Sequence, residues 1–169
     1  MYDRRSRVHD SAPHSTDPLR GRTLIGITER VALPEWHIRS LRVKIDTGAR
    51  TSALHVDEVE LIDQDHVRFW VVLHRKNRDR RVRVETRIVR RARVRSSTGG
   101  SEERLFVATT IRLGPVEKQI EVSLARREPM IFRMLLGRSA LAHDFVVDPS
   151  HRYVATPRRR PKRARPSSP

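Results

Sequence analysis

Asp46, Thr47 and Gly48 close an alternating run, Leu41-Arg42-Val43-Lys44-Ile45, in a chain rich in arginine. A carboxylate in a tight turn at a strand end can take a proton from water or give one to a carbonyl. The same residues also serve as ordinary turn chemistry, with Asp and Gly chosen for backbone geometry. The triplet therefore needs company, and two other segments supply it. Met134-Leu135-Leu136-Gly137 is an apolar strand ending in a glycine, the residue that lets one backbone pass close behind another. Val94 to Val107 (VRSSTGGSEERLFV) has the strand, Ser/Thr/Gly tip and strand of a hairpin, the form that a mobile lid takes.

Other chemistries find less support. The 8 histidines (His9, His14, His37, His55, His66, His74, His143 and His151) are scattered, and no pair has the spacing of a helix-borne HExxH. With no cysteine, thiolate metal sites and disulfides are excluded. Neither GxxxxGK[ST] nor GxGxxG occurs, so direct use of ATP is not expected. A GxSxG elbow is also missing. No metal and no cofactor are expected.

The elements that must position Asp46 are strands. Leu41, Val43 and Ile45 share one face; so do Val82, Val84, Thr86 and Ile88; so do Leu105, Val107, Thr109, Ile111 and Leu113, and then Ile120, Val122 and Leu124. Breaks at Gly26, Pro34, KNRDR, Gly99-Gly100, Gly114-Pro115 and Glu128-Pro129 separate them at sandwich or barrel intervals. SALAHDF, after Gly137, predicts a short helix. The fold class is all-β.

A chain of 169 residues supports one core of ordinary size. Residues 1–20 and 155–169 (ATPRRRPKRARPSSP) are expected to be disordered, with the second a basic tail that touches nucleic acid only non-specifically. Arg81, Arg83, Arg87, Arg91, Arg93 and Arg95 alternate with apolar residues and read as a solvated strand face. With 36 Lys+Arg against 20 Asp+Glu, the formal charge of +16 points to an anionic partner or simply to a very soluble surface, without specifying which. No signal peptide or membrane span is legible, so the expected location is the cytoplasm, with no membrane contact.

In order, KIDTGART, the Gly-rich hairpin, RLFVATTIRLG, IEVSL and MLLGRSAL resemble a retropepsin-type aspartic peptidase. They resemble more closely a bacterial family historically named ATP-dependent zinc proteases, associated with the ATP-grasp glutamate ligases of ribosomal-protein modification. The similarity runs over about residues 23–154, within an expected domain of 21–154. Thr98 and Leu105 stand where relatives carry Asn and Tyr, and the stretch between Asp46 and the hairpin is longer than in viral retropepsins.

The resemblance implies a small closed acid-protease-like β-barrel with a flap hairpin and one short C-terminal helix. It also implies an endopeptidase in which the Asp46 carboxylates of a homodimer hold one water and share a proton. Thr47 would brace the paired loops, Gly48 would set its N–H beside the carboxylate, and Ala49 would line the substrate groove. Arg50, Arg104 and the flap residues Thr98, Gly99 and Gly100 would contact substrate, with Arg95 flanking the groove. Arg138, following Gly137, would pin the active loop or the dimer. A glutamate-rich or glutamylated protein tail is the implied substrate, with a functional link to a glutamate ligase. The zinc in the family's name finds no explanation in these residues; His55 and His37 stand nearest the motif. A non-catalytic protein-binding module on the same fold and a zinc-dependent protease are the competing readings.

Overall fold

The computed structural model describes residues 19–74, 77–95, 101–125 and 131–157. The N-terminal segment through residue 18, the flap residues Thr98, Gly99 and Gly100, and the tail beyond residue 157 lie outside them.

Ten strands carry the fold: β1 (Thr23–Gly26), β2 (Thr28–Leu33), β3 (Ile38–Ile45), β4 (Ser52–Leu61), β5 (His66–Val72), β6 (Arg81–Arg95), β7 (Ser101–Leu113), β8 (Val116–Ala125), β9 (Met134–Leu136) and β10 (Phe145–Asp148). Among the described residues there is one α-helix, α1 (Arg138–Leu141), where the sequence predicts SALAHDF; it begins one residue earlier and stops short of His143, whose φ is 73°. Among the described residues no helix is long and apolar enough to cross a membrane.

The period-two pattern works as a burial code. Leu41, Val43 and Ile45 are buried, while Arg42 and Lys44 between them are exposed. Val107, Ile111, Leu113, Val122 and Met134 join them in a single core, each removed completely from water. Full burial of a side chain of this kind contributes about 1.5–3 kcal/mol. Trp36 closes one part of the core edge-on against Phe69, with ring centroids 5.7 Å apart.

The large sheet runs β2-β3-β9-β4-β5-β6-β7-β8, and two further pairings, β2 with β7 and β4 with β8, link strands distant in that order. β1 and β10 form a separate parallel pair. The feature that matters for function is the placement of β9, which lies parallel to β3 and antiparallel to β4. Residues 46–51 connect β3 to β4 and must therefore cross the end of β9, where Gly137 sits. The β6 and β7 arms pair out to Arg95 and Ser101, forming the expected hairpin up to its tip.

A second long-range tie holds the chain's end. Glu29 on β2 is fully buried, and its carboxylate accepts from the amides of Gly26 (2.8 Å), Val154 (2.8 Å), Ala155 (3.1 Å) and Thr156 (3.1 Å) and from the Thr156 hydroxyl. The expected boundary between domain and tail, after residue 154, cuts through this strap. Glu29→Ala would leave the buried Gly26 amide and the three part-buried amides of the strap without an acceptor, and the expected loss is about 3 kcal/mol. Urea unfolding measures it; an unchanged midpoint would show that the strap is not held by Glu29.

Candidate active site

Asp46 follows the last residue of β3, and its amide donates to Leu136 O at 2.9 Å, so the β3–β9 pairing extends into the turn. Its Oδ1 accepts from the amides of Gly48 and Ala49, both at 3.0 Å. These two bonds form an Asx-type turn that fixes the carboxylate's plane. With Oδ1 engaged, Oδ2 is the oxygen available for proton exchange.

The carbonyls of the same turn are taken one by one by the start of α1. Arg138 donates through Nη1 to Thr47 O (3.2 Å) and Gly48 O (2.8 Å), and through its amide to Ala49 O (2.8 Å). Ser139 donates to Arg50 O with both its amide (3.0 Å) and its hydroxyl (2.8 Å). Gly137 explains how the segments come so close: a Cβ there would lie 2.6 Å from the Thr51 carbonyl carbon and oxygen. No side chain fits without displacing that backbone.

Sequence reasoning missed three contributors. Ser52 Oγ accepts from the Gly137 amide at 3.2 Å, Ser123 Oγ donates to Ser52 O at 3.1 Å, and Ser139 acts as described. Ser52 and Ser123 are buried. A buried hydroxyl in an apolar strand is the signal that marks such residues, and both stand beside apolar neighbours in SAL and VSL.

Two clefts flank the turn. One, of about 560 Å³, is lined by Lys44, Asp46, Thr47, Ile131, Phe132 and Leu135. The other, of about 570 Å³, lies beyond Arg50 and Thr51, with Arg90, Arg93 and Phe106 of the hairpin arms on its far side. Arg104, expected to contact substrate, is only 6% exposed and is not among the residues lining this cleft. It shares a strand face with buried Phe106, and Arg90 and Arg93 stand in the place expected of it. Arg90 is bound to Glu121 (2.8 Å from Nε) and lies over the Phe106 ring at 3.5 Å, whereas Arg50 and Arg93 have no ion pair among the described residues. The side chain of Arg95 lies outside the described residues.

The two histidines nearest the motif are unlike each other. His55 is buried on β4, with Nε2 3.5 Å from Asp57 Oδ1; His37 is exposed, at a φ of 56° that ends the turn Pro34–Trp36. Among the described residues no three His, Cys, Asp or Glu side chains are grouped to hold a metal.

A family model described as RimB-like, the retropepsin-like aspartic endopeptidase RimB, matches residues 24–158. The chain belongs to this RimB-like family. Curated relatives named probable alpha-L-glutamate ligase are 34% identical over 134 residues in Shewanella pealeana and 33% identical over 131 residues in Desulfotalea psychrophila. These matches cover 77% and 75% of this chain, which spans 29% and 28% of the relatives' own lengths. The crystal structure of a Legionella pneumophila protein of unknown function superposes with a TM-score of 0.66 at 25% identity, covering 79% of this chain and 98% of that one. The RimB-like match spans both halves of the site, Asp46 with its turn and Gly137 with the residues that brace it.

Proposed function

We propose that the RimB-like chain is one half of an aspartic endopeptidase, its sheet the closed barrel of a retropepsin-like subunit. The observation that carries this reading is the locked Asp46 turn, a carboxylate oriented by two amides in a loop whose carbonyls are braced by Arg138 and Ser139. So much fixation exceeds what an ordinary turn requires.

One such carboxylate is not enough. Activating water and protonating a carbonyl need a base and an acid together, and two carboxylates brought close share one proton because both cannot ionise. A second copy of the chain, related by a two-fold axis, supplies the partner Asp46, and Thr47 braces the two loops there. One carboxylate takes a proton from water as it adds to the scissile carbonyl; the other gives its proton to the carbonyl oxygen. Collapse of the tetrahedral intermediate breaks the C–N bond as the departing nitrogen takes up a proton.

The substrate is an acidic peptide. Arg50 and Arg93 line the cleft beyond the turn and have no ion pair among the described residues, so their guanidinium groups offer donors to carboxylates. The ligase name carried by the curated relatives suits a substrate that is a glutamate-bearing protein tail, processed in the cytoplasm and linked in function to a glutamate ligase.

The test is hydrolysis of a glutamate-rich peptide by the purified chain. The initial rate is expected to rise as the square of protein concentration in the range where dimers dissociate, and to survive EDTA. Loss of activity on chelation would point to the zinc-protease reading. Peptide binding without cleavage at any pH would point to a binding module.

A further inference from the structure

We propose that Lys44 selects the substrate residue flanking the scissile bond by pairing with its side-chain carboxylate. The inference rests on the peptidase reading and adds a specificity residue to it, at a place distinct from the arginine-lined cleft.

Lys44 is on the exposed face of β3, and Asp46, the first residue past the strand's end, lines the same cleft. Lys44 is paired across the sheet with Leu135, and with Phe132 and Ile131 these residues wall the cleft that also holds Asp46 and Thr47. Since Asp46 is part of the wall, a side chain seated in this cleft belongs to the residue next to the reacting bond. Arg50 and Arg93 act farther along the peptide, across the turn.

The chemistry of the lining selects among occupants. Ile131 is 63% exposed, and Phe132 and Leu135 are half-buried, an apolar wall beside the acid. Arg42, next along the strand on the same face, stacks on the Phe132 ring with its guanidinium carbon 5.1 Å from the centroid. Lys44 forms no ion pair among the described residues, not even with Asp46. A basic occupant would be repelled by Lys44 and Arg42, and an apolar one would strip water from the ammonium with no compensating partner. An occupant with an aliphatic stem and an anionic end satisfies both surfaces. Glutamate has that form: its methylenes meet Phe132 and Leu135, and its carboxylate meets Lys44. In a two-fold dimer the cleft occurs on both sides of the bond, so the preference applies to both flanking residues.

The experiment uses peptides identical except at the two residues flanking the cut, which are Glu, Gln or Lys. kcat/KM is measured for the wild type, Lys44→Arg, Lys44→Met and Lys44→Glu, and peptide affinity by fluorescence anisotropy for the same proteins. The wild type is expected to prefer Glu over Gln by roughly tenfold or more, the scale of one charge-assisted contact. Lys44→Arg should keep that ratio, Lys44→Met should bring it close to one, and Lys44→Glu should shift preference toward Lys. A Glu-to-Gln ratio that survives Lys44→Met overturns the proposal, as does its absence in the wild type. If the wild type cuts no peptide, the peptidase reading fails by itself, and the affinities decide: discrimination that depends on Lys44 upholds the contact, and its absence removes it.

Discussion

Asp46→Asn is expected to reduce peptide hydrolysis by roughly a thousandfold or more, because in the proposed mechanism it removes from both subunits the group that exchanges protons with water and carbonyl. The fold should survive. Asn keeps an Oδ1 that accepts from the Gly48 and Ala49 amides, so the turn loses only the charge on two hydrogen bonds, a cost of about 1 kcal/mol. The decisive measurement mixes the variant with the wild type. If each site is built from two copies, activity falls as the square of the wild-type fraction once subunits have exchanged. A linear fall would mean that one chain suffices, and full activity in the variant would remove Asp46 from the chemistry.

Arg138→Met should have the next largest effect. Its Nη1 holds the carbonyls of Thr47 and Gly48, in the turn whose amides bind Asp46. Without it the turn keeps the backbone bonds from Arg138 to Ala49 and from Ser139 to Arg50, so the chain still folds, with a loss of about 1–2 kcal/mol. The carboxylate, however, is no longer held to the sub-ångström tolerance that proton transfer requires, and kcat should fall about a hundredfold. Arg138→Lys should restore part of the rate, since an ammonium keeps the charge and the donors but lacks the fixed planar geometry of the guanidinium. Thermal unfolding beside kcat separates the two effects. An activity loss no larger than the loss of folded protein would make Arg138 a structural residue alone.

The strands that alternate cleanly were legible because each buries one face. LRVKI, RVRVETRI and RLFVATTIRL all lie in strands, and the segments flanking the Gly-rich tip pair as a hairpin. Pairing partners were not legible, since the parallel contacts of β3 with β9 and β4 with β8 join segments distant in the chain and leave no local trace. The arginine-lined cleft was misread for a local reason. A register shift between Ile88 and Arg90 changes the phase of β6, so that Val89, Arg90 and Arg91 are all exposed and Arg90 comes opposite Phe106. Strict alternation places exposed arginines only at odd positions, and it gave no warning that Arg104 is buried. Asp46, Gly137 and Arg138 stood out from the sequence as a set, but the serines that fasten them did not, because one hydroxyl in a strand carries no periodic signal.

The wedging of β9 between β3 and β4 also sets an order of events in folding. The residues that orient Asp46 are contributed by the segment from Leu136 to Ser139, far along the chain. A chain emerging during synthesis presents the acidic triplet long before it presents the strand that shapes it, and non-local pairings of this kind form late. The local bonds from the Gly48 and Ala49 amides can form early, but the turn lacks its long-range brace for most of the protein's assembly. The braced turn is complete only when the last part of the domain closes over the first, so under the proposed mechanism competence for proteolysis would wait on completion of the fold.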